Sequence, residues 1–454
     1  MMPIGDDLAT LSTLLESTRE AAAEFLATLP DRPAGQRPRS IEPSTLPEEG
    51  VGGHAALALF RRRFESGLSG SPGPRYLGFV TGGSTPAALA GDWLAATYDQ
   101  NLSNAGDSIA THVEHETLGL LRSLFGLPDD FAGAFVSGAT QANMVALATA
   151  RQWVAQRRGV DVAEEGLWRL PPIAILGGTP HASISKAVSV LGMGRRQVQP
   201  VACQPSRLAV DPAALERHLE ALGDSPAIVV ASAGEVNTGD FDDLEALAQL
   251  CQRYGAWLHV DGAFGLFAAC DPDRAALLRG IEQADSIATD GHKWLNVPYD
   301  SGIVVTRHLK LQEEVFKAVA AYLGAGPDLL HRTPENSRRF RALPAWMTLM
   351  AYGRSGHREL VQRCCNLAGQ LGEGVAASPA YELLAPVRLN IACFALRQGG
   401  ERERDRVLDH LLDDGRVYLT PTVIDGRSGF RAAFVNWRTA QADIETILAA
   451  LEDA

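Results

Sequence analysis

Lysine is scarce in this chain of 454 residues: it has 41 lysines and arginines together, but only Lys186, Lys293, Lys310 and Lys317 carry a primary amine. Chemistry that needs such an amine has four candidates. Positive charge is also short. The formal net charge of -13 leaves no basic stripe to neutralise nucleic-acid phosphates or anionic lipid headgroups. Small molecules and other protein chains are the expected partners, with no nucleic acid and no membrane. No apolar run reaches the roughly 18 residues that a membrane span needs. The opening MMPIGDDLATL lacks a basic stretch followed by an apolar one, and a cytoplasmic location is expected. The six cysteines (Cys203, Cys251, Cys270, Cys364, Cys365, Cys393) form no CxxC pair and no framework spacing, so they read as reduced thiols. A hydrophobic share of 46% excludes a disordered or fibrous chain.

Residues 8–29 repeat apolar positions every three or four residues and predict an amphipathic helix, followed by a polar, proline-rich stretch. One helix and a loop bury no core, so residues 1–75 read as an N-terminal helical arm. From about residue 75 short apolar runs (GAFVSG, PPIAILGG, AIVVASAG, AWLHVDG, DSIATDG, SGIVVTRH) alternate with helical patterns such as QANMVALATARQWVAQRR. That alternation predicts an α/β fold with an open, mostly parallel sheet over residues 76–350. After about 350 the pattern changes to helix, one or two strands, helix, strand and terminal helix. Residues 351–454 are expected to form a smaller C-terminal α+β domain.

Ligands of open α/β sheets gather at the carboxyl ends of the strands. DGHKWLN at 290–296 follows the run DSIAT and puts Lys293 at such an end, where a rigidly held amine can form a Schiff base with an aldehyde. HVDGAFG at 259–265 ends another strand, and Asp261 there can keep a pyridine nitrogen protonated. FVSGATQAN at 135–143 turns through Gly138, Ala139 and Thr140 into a long helix, whose N-terminus suits a phosphate. His181, just past PPIAILGG, can stack on a flat ring. Aldehyde, pyridine and phosphate together describe pyridoxal 5'-phosphate (PLP). Each piece has a plainer reading: a surface amine, a turn cap, a helix N-cap, a loop histidine. Their order at the strand ends of one sheet is more specific than any single one. His112 and His115 in HVEH lack a third ligand and read as an exposed helix face, as does ERERDR at 401–406.

These residues resemble the group II PLP-dependent amino-acid decarboxylases, the family of aromatic amino-acid and glutamate decarboxylases. The likeness runs from about Arg75 to Trp437, with HKWLNVPYDSG at 292–302 its most specific stretch and GFVTGGSTPAALAGDWL and SRRFRALPAWMTL supporting it. It implies the type I (aspartate aminotransferase-like) PLP fold and a homodimer with the active site at the interface. It further implies Lys293 as the Schiff-base lysine, Asp261 as the pyridinium partner, Ala263 against the ring and His181 stacked over it. Gly138, Ala139, Thr140, Asp290 and His292 would hold the phosphate. Tyr322 would return a proton to the substrate carbon after CO2 leaves, and Thr81, Asn101 and Ser103 would lie near the substrate. The chain departs from the family at Gly291, where proline is usual, and at Glu235, where threonine is frequent.

The implied reaction is decarboxylation of an L-amino acid to the amine and CO2. Alternatives on the same fold are an aldehyde synthase, an aminotransferase, a carbon-carbon lyase and a non-catalytic binding protein. Tyr322 argues against the first of these. Composition and spacing do not name the substrate.

Overall fold

The computed structural model describes residues 3–103, 106–318 and 329–454. Its larger sheet contains β1 (Ala132–Val136), β2 (Ala174–Gly177), β3 (Val198–Pro200), β4 (Ala227–Ser232), β5 (Trp257–Asp261), β6 (Ser286–Asp290) and β7 (Gly302–Thr306). Their order is β1-β7-β6-β5-β4-β2-β3. Pairs from β3 through β6 are parallel, while β7 runs antiparallel to both β6 and β1. It follows that β1, β2, β4, β5 and β6 all end at one edge.

The strands are apolar at successive positions because both faces of the sheet are covered. Ile228, Val230 and Trp257 pack with Leu147, Ala150 and Val154 of the helix Ala139–Gln156 on one face. Val229, Leu258 and Val260 pack on the other with Leu244 and Leu247 of the helix Leu244–Tyr254. That second helix starts at Asp243, whose side chain accepts from the Ala246 N–H, and stops at Gly255 in the left-handed region.

A second sheet contains β8 (Tyr381–Leu383), β9 (Ile391–Leu396), β10 (Thr420–Ile424) and β11 (Arg427–Ala433), ordered β10-β11-β9-β8 and antiparallel throughout. Asp425 and Gly426, both at positive φ, close the β10–β11 hairpin, as a two-residue turn requires. In this sheet Phe394 stacks on Phe430, and Tyr381 meets both rings edge-on. A helix from Ala342 to Ala377, broken at Gly353, leads into this sheet. The segment around Leu77 joins it too, since the Leu77 N–H donates to the Tyr418 carbonyl and the Ala433 N–H to the Leu77 carbonyl.

Two strands escape the sequence pattern. β3 is three residues ending in proline, and β10 turns Thr420 and Thr422 inward where an apolar residue would signal a strand. The predicted N-terminal helix is two helices, Pro3–Ala9 and Leu11–Ala27. Neither Leu11–Ala27 nor Gly53–Arg63 buries a single residue. Within ERERDR, Arg404 is buried against the Thr422 carbonyl, unlike its exposed neighbours. All six cysteines are free thiols. Among the described residues no helix is long and apolar enough to cross a membrane, and no group of three or more potential metal ligands occurs.

Candidate active site

The converging strand ends surround a cavity of about 430 Å³. Gly138, Ala139 and Thr140 line it after β1, His181 after β2, Asp261 and Ala263 from β5, and Asp290, His292 and Lys293 from the end of β6. The structure thus brings nine of the predicted residues to one space. Glu235, beyond β4, and Arg431, on β11 of the second sheet, complete the charged wall. Thr81, Asn101 and Ser103 do not line this cavity. Thr81 Oγ1 lies 3.3 Å from the Tyr299 hydroxyl, and Asn101 Oδ1 accepts from the Arg338 N–H at 3.0 Å. Ser103 offers its carbonyl to the Leu330 N–H. Tyr322 lies outside the described residues.

Lys293 Nζ sits 3.0 Å from Asp290 Oδ2 and 5.8 Å from the centre of the Phe264 ring. The other Asp290 oxygen accepts from the Ala139 N–H at 2.6 Å, so this carboxylate caps the helix Ala139–Gln156 while pairing with the amine. Asp290 thus touches both the turn that opens this helix and Lys293. His292 stacks on Tyr299 with ring centres 4.3 Å apart, and its Nδ1 accepts from the Ser301 N–H. At Gly138 a Cβ would lie 3.3 Å from His292 Cε1 and 3.5 Å from Asp290 Oδ1, so any side chain there would fill the start of the helix.

Asp261 is buried, and both its oxygens accept: Oδ1 from the Ala263 N–H at 3.2 Å, Oδ2 from Asn143 Nδ2 at 2.9 Å. Burial lowers the pKa of His181, with Asp261 opposing and Lys293 reinforcing the shift; burial likewise lowers that of His292. In both rings burial favours the neutral form. Burial raises the Glu235 pKa against four hydrogen bonds from Asn237 and Thr238. Arg431 donates from Nη1 to the Val236 carbonyl at 3.0 Å, and its buried Nε has no protein partner among the described residues.

Arg431 was not among the predicted site residues. Its signal was a charged residue inside the otherwise apolar run FRAAFV. Asn143 and His259 were equally silent, though each is a polar residue within an apolar helix or strand.

PLP fits this donor set: a glycine turn at the start of an 18-residue helix for the phosphate, an amine for the aldehyde and a buried carboxylate for the ring nitrogen.

Residues 41–397 match the family described as the pyridoxal-dependent decarboxylase conserved domain. The chain is 27% identical over 425 residues to an aromatic-L-amino-acid decarboxylase of Bacillus atrophaeus, covering 89% of this chain and 86% of that one. It is 30% identical over 420 residues to an L-2,4-diaminobutyrate decarboxylase of Rhizobium meliloti (strain 1021), covering 89% and 83%. A crystal structure of Oryza sativa TDC with PLP and tryptamine superposes with a TM-score of 0.90 at 22% identity, covering 99% of this chain and 97% of that one. That likeness is one of fold: a mostly parallel large sheet with a smaller C-terminal sheet, the type I PLP arrangement.

Proposed function

We propose, from the premise that this chain belongs to the pyridoxal-dependent decarboxylase family, that Lys293 holds the cofactor covalently while the surrounding residues orient an L-amino acid for loss of its carboxylate. Family membership makes the protein a PLP-dependent amino-acid decarboxylase. When bound, PLP supplies an electron sink conjugated with the substrate α-carbon. The observation that carries the assignment of roles is the meeting of Lys293, Asp261 and the Gly138 turn in one cavity.

In this reading the turn Gly138–Thr140 receives the phosphate, with the helix dipole and the Thr140 hydroxyl assisting. Asp261 faces the ring nitrogen, and Ala263 and His181 face the ring. Asp290 holds the Lys293 ammonium until the cofactor arrives, and His292 flanks the phosphate side. Arg431, whose side chain lines the cavity, receives an anionic group of the substrate. Tyr322 returns the proton to carbon, aided by His181. Thr81, Asn101 and Ser103 contribute to the substrate side of a shared site.

Exposed apolar side chains support a homodimer that completes this site. Leu11, Leu15, Phe60 and Phe64 on the arm, and Trp93, Leu94 and Tyr98 on the helix Pro86–Tyr98, stand in solvent in the single chain. Within each protomer we divide the chain into an arm (1–75), a large domain (76–350) and a small domain (351–454). The free thiols suit the reducing cytoplasm.

Replacing Lys293 with alanine tests the central assignment. The visible absorption of the loaded enzyme and CO2 release are both expected to vanish; sustained steady-state turnover would refute the role given to Lys293.

A further inference from the structure

Behind Asp261 runs a line of buried polar groups in which each hydrogen has one place to be. Asn143 Nδ2 donates one hydrogen to Asp261 Oδ2 at 2.9 Å and the other to Ser183 Oγ at 3.0 Å. Its Oδ1 therefore faces His259 Nε2, 2.9 Å away, and an amide oxygen only accepts, so Nε2 carries hydrogen. His259 is fully buried, and burial pushes its pKa down to about 4, which leaves the ring neutral and Nδ1 an acceptor. Ser286 Oγ, 2.9 Å from that Nδ1, donates to it and accepts from Trp257 Nε1 at 3.0 Å. Reversing the Asn143 amide would set oxygen against the Asp261 carboxylate, so the direction of the whole line is decided.

The line also branches. Ser183 Oγ, having accepted from Asn143, lies 2.8 Å from His181 Nδ1 and donates to it, while the Ser183 N–H reaches the same nitrogen at 3.2 Å. His181 must then carry its hydrogen on Nε2. Asn143, His259, Ser286 and Trp257 do not themselves line the cavity.

We propose that Asn143 and His259 are positioning residues: a single amide, locked by His259, aims the Asp261 carboxylate and selects the tautomer of His181, so one buried relay presets both cofactor-facing groups. This rests on the reading of Asp261 and His181 given above. A side-chain relay of this kind is worth having because a carboxylate tied at both oxygens, and a histidine tied at one nitrogen, need no reorganisation when the ligand enters.

The test uses the full-length, PLP-loaded enzyme and three substitutions of relay residues. His259→Phe removes the donor to Asn143, Ser286→Ala removes the hydroxyl that holds His259 Nδ1 while leaving the ring, and His259→Gln keeps a donor near Nε2. His259→Phe is expected to weaken PLP binding about tenfold, the scale of leaving the buried Asn143 oxygen without its donor. It should also reduce the visible circular-dichroism band of the bound cofactor. His259→Gln should restore most of both, and Ser286→Ala should fall between, so that a misfolded His259→Phe still leaves a measurable step. PLP affinity and dichroism that stay parental in His259→Phe or in Ser286→Ala, with only the melting temperature falling, would overturn the proposal. Asp261→Asn separates the two readings. If it loses PLP while the relay variants keep it, the relay alone is wrong; if it too binds PLP normally, the placement of the cofactor is wrong and the relay with it.

Discussion

Gly82 lies so close to Lys293 that a Cβ built on it would come within 1.8 Å of the Lys293 carbonyl oxygen. The Gly82 N–H also donates to the neighbouring His292 carbonyl. The segment around Gly82 thus rests on the backbone that presents the amine, and only a residue without a side chain permits that approach.

Gly82→Ala must move one backbone or the other. A destabilisation of about 1–3 kcal/mol is expected for this overpacking, together with weaker PLP binding because the displaced backbone carries Lys293. Thermal melts of the PLP-free protein and a PLP titration check both halves; unchanged values in each would show that the two segments separate freely.

Glu114 and Arg338 form an ion pair at 2.8 Å with both side chains fully buried, and Glu114 Oε1 also accepts from the Phe135 N–H of β1. Arg338 spans to the carbonyls of Leu102 and Phe135. Glu114→Ala leaves the guanidinium buried without its counter-charge, at a cost of about 3–5 kcal/mol. Replacing both by apolar residues (E114L with R338M) should recover part of that loss. Chemical denaturation of the single and double variants decides the matter, and a double variant less stable than E114A would contradict it.

His259 makes stability depend on pH. Its folded pKa of about 4 lies below the ordinary histidine value of 6.5, so the unfolded chain binds the proton first. The stabilisation is present above the ordinary value and drains away as pH falls through the window between the two. Between pH 7 and pH 5 the loss from this one group is about 2 kcal/mol. His181, His292 and His357 are lowered by burial and act in the same direction. Urea unfolding at both pH values should show a smaller drop in His259→Gln than in the parent; equal drops would mean that His259 is charged in the folded protein.

Arg431 reaches the cavity from the second sheet, and its loss should be felt in turnover more than in folding. Arg431→Leu is expected to lower kcat/KM about a hundredfold if the guanidinium holds a substrate anion. Arg431→Lys, a point charge without the fork, should retain only part of the difference. Initial rates of CO2 release measure this, and parental kcat/KM in the leucine variant would remove Arg431 from substrate binding.

Much of this architecture was legible before any coordinate. Apolar runs of strand length between helical periods indicated the parallel sheet, and turn residues after β1, β2, β5 and β6 marked where Gly138, His181, Asp261 and Lys293 sit. Such features are local: period, propensity and turn chemistry act over a few residues and survive without knowledge of what packs where. β10 escaped because two of its three inward positions are threonines, and the break at Gly353 left no mark in an otherwise helical pattern.

By itself, then, the amino-acid order determined the sheet, its chemically armed edge and the resemblance that names PLP. Tertiary structure alone decided that Arg431 of β11 shares a wall with Lys293, that Gly82 presses on the lysine's carbonyl and that Asn143, His259 and Ser286 align behind Asp261. Those relationships join residues tens to hundreds of positions apart. They depend on strand order and on the packing of one sheet against another, which no local pattern encodes.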